Sequence, residues 1–166
     1  MIANPVKRKQ KQKMTTQQNI ELTESCGLVV EAMTRKLMER DGLALAEARI
    51  AILEQALAIF QEFHPLRRDQ FRLCVASVKE RFNLVHHSKE ETGLKFTITP
   101  DVKKGIEVLQ TAHRIKHRVH AIRVLLLIYI AGQTLVSLDE LAPPDPQFLD
   151  LVNAISLQLQ DMRRLG

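Results

Sequence analysis

Residues 113–120 read HRIKHRVH. Six of the eight are basic or titratable: His113, Arg114, Lys116, His117, Arg118 and His120. The other two, Ile115 and Val119, stand four apart, the spacing of one helical face. If the stretch is helical, the aliphatics point to a core and His113, His117 and His120 share one side. Three chemistries suit this pattern. Two histidines four apart on a helix can hold zinc. A cationic face can be solvated. Or the cations can meet phosphate and release its counterions. The metal reading is the weakest, because no acid or cysteine lies nearby in sequence and the flanking cations repel another dication. A solvated helix face usually mixes signs to form i, i+4 pairs. Over residues 103–123, Lys103, Lys104, Arg114, Lys116, Arg118 and Arg123 face one acid, Glu107. The stretch therefore favours a phosphate-contacting surface, unless acids near the C-terminus, such as Asp150 and Asp161, fold back onto it. Neither a metal nor a cofactor is called for.

The elements that must position these residues are mainly helical. The chain has 166 residues and 45% hydrophobic content, enough for one domain with a real core. It has no Trp, one Tyr and six Phe, so the core is built from Leu, Ile, Val and Ala, as in packed helices. Such scarcity of aromatics also argues against base stacking as a main binding mode. Cys26 and Cys74 are too few for a disulfide scaffold and fall on apolar stripes. The N-terminus is basic with no apolar segment of a secretory signal after it. The longest apolar run, Val124–Ala131, is far short of the roughly 20 residues that span a bilayer. These features point to a cytoplasmic protein without membrane association. There is no Gly-rich phosphate loop, no CxxC and no nucleophile with an evident base, so no catalytic residue is assigned and no enzyme is expected.

Charge is uneven. Lys7, Arg8, Lys9, Lys11 and Lys13 lie within residues 1–13 with no acid among them, and account for the whole net charge of +5. Residues 1–19 lack apolar periodicity and read as a disordered basic arm, fit to lie along nucleic acid. Residues 20–166 read as one helical domain. Its first helices fit 22–40, 44–63 and 67–85, each with an apolar face at 3–4 spacing. The second has Ala46, Ile50, Leu53, Leu57, Phe60 and Phe63 on its face. Asp41-Gly42 ends the first and His64-Pro65 the second.

A β segment falls near 84–99. Leu94, Phe96 and Ile98 alternate with Lys95, Thr97 and Thr99, a period of two, and Gly93 marks a turn. Thr99-Pro100-Asp101 then opens a helix, with Thr99 as N-cap. From Gly105 to Tyr129 an apolar stripe repeats at 3-4 spacing without a phase shift, which predicts one long helix over 101–131. A Pro-rich loop follows at 142–146, and a last helix fits 146–165. The fold class is thus mainly α: a single-domain bundle of about five helices with one short strand or hairpin. That strand needs a partner for its backbone groups. It is either Leu84–His87, in a hairpin, or the same strand of a second subunit.

The second option brings a resemblance. LKFTITPDVKKGIEVLQ followed by VHAIRVLLLIYIAGQ resembles the ribbon-helix-helix DNA-binding proteins over residues 94–132. The resemblance implies a dimer whose paired strands enter the major groove, with Lys95, Thr97 and Thr99 facing bases. It also implies phosphate binding at the start of the second helix, near Lys116–Arg118. The family's turn between helices has no counterpart in HRIKHRV, which lacks Gly, Pro, Asn and Asp. The hairpin option gives the element order of a winged helix, in which helix 67–82 would read DNA through Arg67, Arg68, Arg72, Lys79 and Arg81. That is analogy at the level of fold.

The function expected is nucleic-acid binding, with DNA favoured over RNA: a small dimeric regulator or accessory factor of a mobile element, acting in transcription regulation. The contacts would be Lys7, Arg8, Lys9, Lys11 and Lys13 of the arm, with Lys95, Thr97, Thr99, Lys103, Lys104, Arg114, Lys116, His117, Arg118 and Arg123. One alternative is a helical, non-catalytic RNA- or single-strand-binding subunit of an RNA-guided ribonucleoprotein. Another is a protein–protein adaptor.

Overall fold

The computed structural model describes residues 16–64, 66–85, 91–132 and 146–165. Along them run β1 (Thr16–Thr23), α1 (Glu24–Asp41), α2 (Leu45–Phe63), α3 (Arg68–Val85), β2 (Glu91–Ile98), α4 (Pro100–His113), α5 (Arg118–Gly132) and α6 (Pro146–Leu165). The chain is mainly helical, with one two-stranded antiparallel sheet.

α5 forms the centre. Val124 to Ile130 are all buried, so beyond Arg123 the helix is apolar on every side. Such a helix must be surrounded. α2 and α6 flank it, and α1, α3, α4 and β1 complete the shell. α3 and α6 also pack on each other, and Phe71, Cys74 and Val78 of the one and Phe148, Val152 and Ile155 of the other are buried in the core. Each fully buried side chain of this kind contributes about 1.5–3 kcal/mol. The buried face of α2 is Ala48, Ile52, Leu53, Ala56, Leu57, Phe60 and Phe63. Ala46, expected on that face, is exposed. Among the described residues, no helix is long and apolar enough to cross a membrane.

The strand expected near 84–99 is β2, but neither expected partner supplies its pairing. β2 pairs antiparallel with β1 of the same chain, with Gln18 opposite Phe96 and Ile20 opposite Leu94. Residues 16–19, read as part of a disordered arm, are therefore strand. Leu22, read as helical, is also strand. Leu84 and Val85 end α3, and residues 86 and 87 lie outside the described residues. Gly93 is not at a turn: it sits inside β2 opposite Glu21. A Cβ there would come within 2.9 Å of the Asn19 side chain.

The ribbon is amphipathic. Ile20, Leu22, Leu94, Phe96 and Ile98 are buried, while Gln17, Asn19, Glu21 and Lys95 are exposed. Arginines close its flanks. Arg49 Nη1 donates to Lys95 O at 2.9 Å and its guanidinium lies 5.9 Å from the Phe96 ring centre. On β1, Arg123 Nε and Nη2 donate to Glu21 O at 3.2 and 3.0 Å. Unpaired strand edges otherwise invite association.

The long helix expected over 101–131 is two helices. α4 begins as its sequence implies, with Pro100 in its first turn and Thr99 Oγ1 accepting from Val102 N at 3.3 Å. It ends at Arg114, which is left-handed (φ 54°, ψ 45°). The N–H groups of Arg114 and Ile115 both donate to Gln110 O, the closing pattern of a left-handed helix cap. Gln110 Nε2 then reaches Ile115 O at 3.2 Å and Lys116 O at 3.4 Å. The apolar stripe hides this break because Ile115, buried at 7% exposure, still points inward. A continuous helix would also stack Arg114 on Arg118 at i, i+4, a repulsive pair.

Candidate nucleic-acid interface

The break at Arg114 turns the basic stretch from a helix face into the lip of a cleft. The cleft has a volume of about 560 Å³. α3 supplies Val75 and Lys79, the end of α4 and the turn supply His113 to His117, and α5 supplies Val119, His120 and Arg123. Val75 and Ile115 are buried and form its floor; Lys79, Arg114, Lys116 and His117 are exposed at its rim. Among the described residues, none that lines it is acidic. Asp150 and Asp161, which could have folded back, stay exposed on α6 and do not line it. The first turn of α5 carries no acid either, so its unsatisfied N–H groups and helix dipole add to the positive potential.

His113 sits at the inner end. It is 9% exposed, and its ring lies 5.2 Å from Phe71 and 5.9 Å from Phe60, centre to centre. Neither ring nitrogen has a hydrogen-bond partner among the described residues. Burial, reinforced by Arg72, Arg68 and His64, pushes its pKa down to about 4, so the ring is neutral at pH 7. Burial also lowers the pKa of His120, with Arg123, Lys79 and His117 adding to the effect. The Cys26 and Cys74 thiols are pushed up to about 12 by burial, which removes them from chemistry at neutral pH. Among the described residues, no group of three or more His, Cys, Asp or Glu is placed to hold a metal ion.

The expected contacts divide among several places. Arg114, Lys116, His117 and Arg123 meet at the cleft, while Arg118 is half-buried beside it and does not line it. Lys104 lies in a separate groove of about 570 Å³ with His64, Arg68 and Glu107, so a carboxylate is present there. Lys103 is exposed on α4. Lys95 stands on the outer face of the ribbon opposite Asn19, and Thr97, half-buried, opposite Gln17. Thr99 spends its hydroxyl on capping α4. Lys7, Arg8, Lys9, Lys11 and Lys13 lie outside the described residues.

No protein-family model, no curated protein and no solved structure matches the chain. The site must be judged on its own geometry.

For the winged-helix analogy, the hairpin after α3 would have to pair 84–87 with 94–99, and β1 occupies that pairing instead. Of its reading residues, Arg68 is tied to Ala112 O at 3.0 Å, Arg72 is exposed and Lys79 faces the cleft; the Arg81 side chain lies outside the described residues. Sequence reasoning reached Lys79 only through that analogy, and reached Gln17 and Asn19 not at all. Lys79 joins the cleft through packing between α3 and α5, a juxtaposition with no local sequence signal. The alternation of Asn19 and Glu21 with Ile20 and Leu22 was the available clue to β1.

Proposed function

We propose that the protein binds nucleic acid, duplex DNA before RNA, through the cationic cleft at the α4–α5 turn and the polar face of the β1–β2 ribbon. The observation that carries this reading is the cleft, where cations converge from three elements and, among the described residues, no carboxylate lines the wall. Like charges held this close repel. A phosphate backbone supplies the missing counter-charge and gains entropy by shedding its own counterions.

The ribbon supports a duplex as the target. The major groove admits a two-stranded β-ribbon, and Asn, Gln and Lys are side chains that pair with purine edges there. Gln17, Asn19, Lys95 and Thr97 form the outward row. The order β2, α4, α5, with a turn between the helices, supports the ribbon-helix-helix resemblance. It differs in that β1 of the same chain supplies the second strand, so dimerisation is not needed to complete the ribbon. A small DNA-binding regulator or accessory factor, as a homodimer or within a larger assembly, is the role this reading suggests.

Fluorescence anisotropy on mixed-sequence duplex DNA and single-stranded RNA, across a salt series, tests it. Affinity should fall steeply with salt. In a variant carrying Arg114→Gly, Lys116→Gln and Arg118→Gln, the log–log slope on duplex DNA should shrink by about 0.9 for each phosphate that is no longer neutralised. Asn19→Ala with Lys95→Ala should spare mixed-sequence binding and flatten sequence preference. RNA bound more tightly than duplex would favour the ribonucleoprotein alternative, and no binding to either probe near ~0.15 M salt would end the reading.

A further inference from the structure

The cleft has features that an internal phosphodiester does not use. Its walls come from three sides: Lys79 on α3, Arg114 and Lys116 on the turn, and His120 on α5. At its inner end His113 is nine-tenths buried, with both ring nitrogens unpartnered among the described residues. Buried polar atoms are nearly always satisfied in folded proteins. A neutral imidazole has one N–H to give and one lone pair to fill. The N-terminus of α5, a helix of 15 residues, opens on the same space with no acid in its first turn, and its first N–H groups have no intrahelical acceptor. Two kinds of donor thus converge on the cleft, backbone amides and side-chain cations, beside the buried ring of His113, unpartnered among the described residues.

A phosphodiester within a strand carries one negative charge and must both enter and leave the cleft. A phosphate monoester carries about −1.5 to −2 with three acceptor oxygens, and can enter from one side. We propose that this cleft seats a phosphate monoester, carried by a free nucleotide or by the end of a nucleic-acid strand. The Lys79 and Lys116 ammonium groups and the Arg114 guanidinium neutralise the dianion. The amides of the first turn of α5 receive its oxygens. The apolar floor at Val75 and Ile115 takes the adjoining sugar or base. A volume of about 560 Å³ is that of a small-molecule site. The proposal deepens the nucleic-acid reading and depends on it only for the strand-end source of the phosphate.

Two measurements on the intact chain test it. The first follows the imidazole ¹H–¹⁵N resonances by NMR during titration with adenosine 5′-monophosphate, and with adenosine as control. The second compares, by anisotropy, one single strand bearing a 5′-phosphate, a 3′-phosphate or neither. The nucleotide should move the His113 and His120 resonances and adenosine should not. A strand with a terminal phosphate should bind about tenfold tighter than the unphosphorylated one, and Lys79→Gln with Lys116→Gln should erase that preference. Movement by the nucleotide with no binding of any strand would support the seat and end the nucleic-acid reading. Equal binding of all three strands, with the imidazoles unmoved by nucleotide, would overturn the seat and leave general nucleic-acid binding standing. Equal movement by adenosine and its monophosphate would also overturn it. Using the wild-type resonances keeps the test independent of whether a His113 variant folds.

Discussion

Arg114 holds the left-handed conformation at φ 54° that closes α4. For a residue with a Cβ this region costs about 1–2 kcal/mol, while glycine adopts it freely. Arg114→Gly should therefore raise the free energy of unfolding in urea by up to about 1 kcal/mol, although it removes a charge from the cleft. A stability loss would show that the Arg114 side chain contributes packing of its own. His113 gives a pH signature. Its pKa is about 4 when folded and near ~6.5 when unfolded. Between those values the unfolded chain binds a proton that the folded chain refuses, so stability falls as pH drops through that window. His120, lowered in the same direction, adds to the slope. Urea midpoints at pH 7 and pH 5 should differ markedly in the wild type. They should differ less in His113→Phe, whose ring suits the Phe60 and Phe71 contacts.

Among the elements, α4 shows how far a sequence pattern carries. Thr99, Pro100 and the apolar stripe that runs from Gly105 announced this helix, because caps and periodicity are local. Its end was not announced, because Ile115 and Val119 kept the phase of the stripe while the backbone turned between them. Gly105 belongs to that stripe for a reason only the packing explains: a Cβ there would lie 2.7 Å from Leu57 Cδ1 and 3.3 Å from Leu57 Cγ. In an exposed helix Gly→Ala stabilises by about 1 kcal/mol. Here Gly105→Ala should instead lower the thermal midpoint, since overpacking a core costs about 1–3 kcal/mol. Stabilisation would mean that Leu57 swings aside at no cost. The same limit applies to the ribbon. Leu94, Phe96 and Ile98 identified a half-buried strand unaided, but its partner lies far upstream, with Gln18 opposite Phe96, 78 residues later in the chain. Nothing in LKFTIT selects a partner at that distance.

For the whole molecule, charge is the organising quantity. The net +5 resides formally in residues 1–13, yet the folded chain concentrates a second positive field where Lys79, Arg114, Lys116 and Arg123 line one cleft. Repulsion within such a cluster is screened as the Debye length falls from about 30 Å at 0.01 M salt to about 8 Å at 0.15 M. The wild type should therefore become more thermally stable over that range, and Lys79→Gln with Lys116→Gln should respond less. Equal responses would mean that counter-charge already reaches the cleft.

By itself, the sequence determined the helical class, the buried faces of most helices, the cap at Thr99, the alternation of β2 and the surplus of cations over 103–123. Each of these follows from interactions within a few residues along the chain: backbone sterics, side-chain periodicity, capping and local charge. The pairing of β2 with β1, the turn at Arg114 and the meeting of Lys79 with the α4–α5 turn were decided only by the tertiary structure. They depend on which distant surfaces bury apolar area against one another. That choice is made when α5, apolar on every side, is enclosed by the remaining elements.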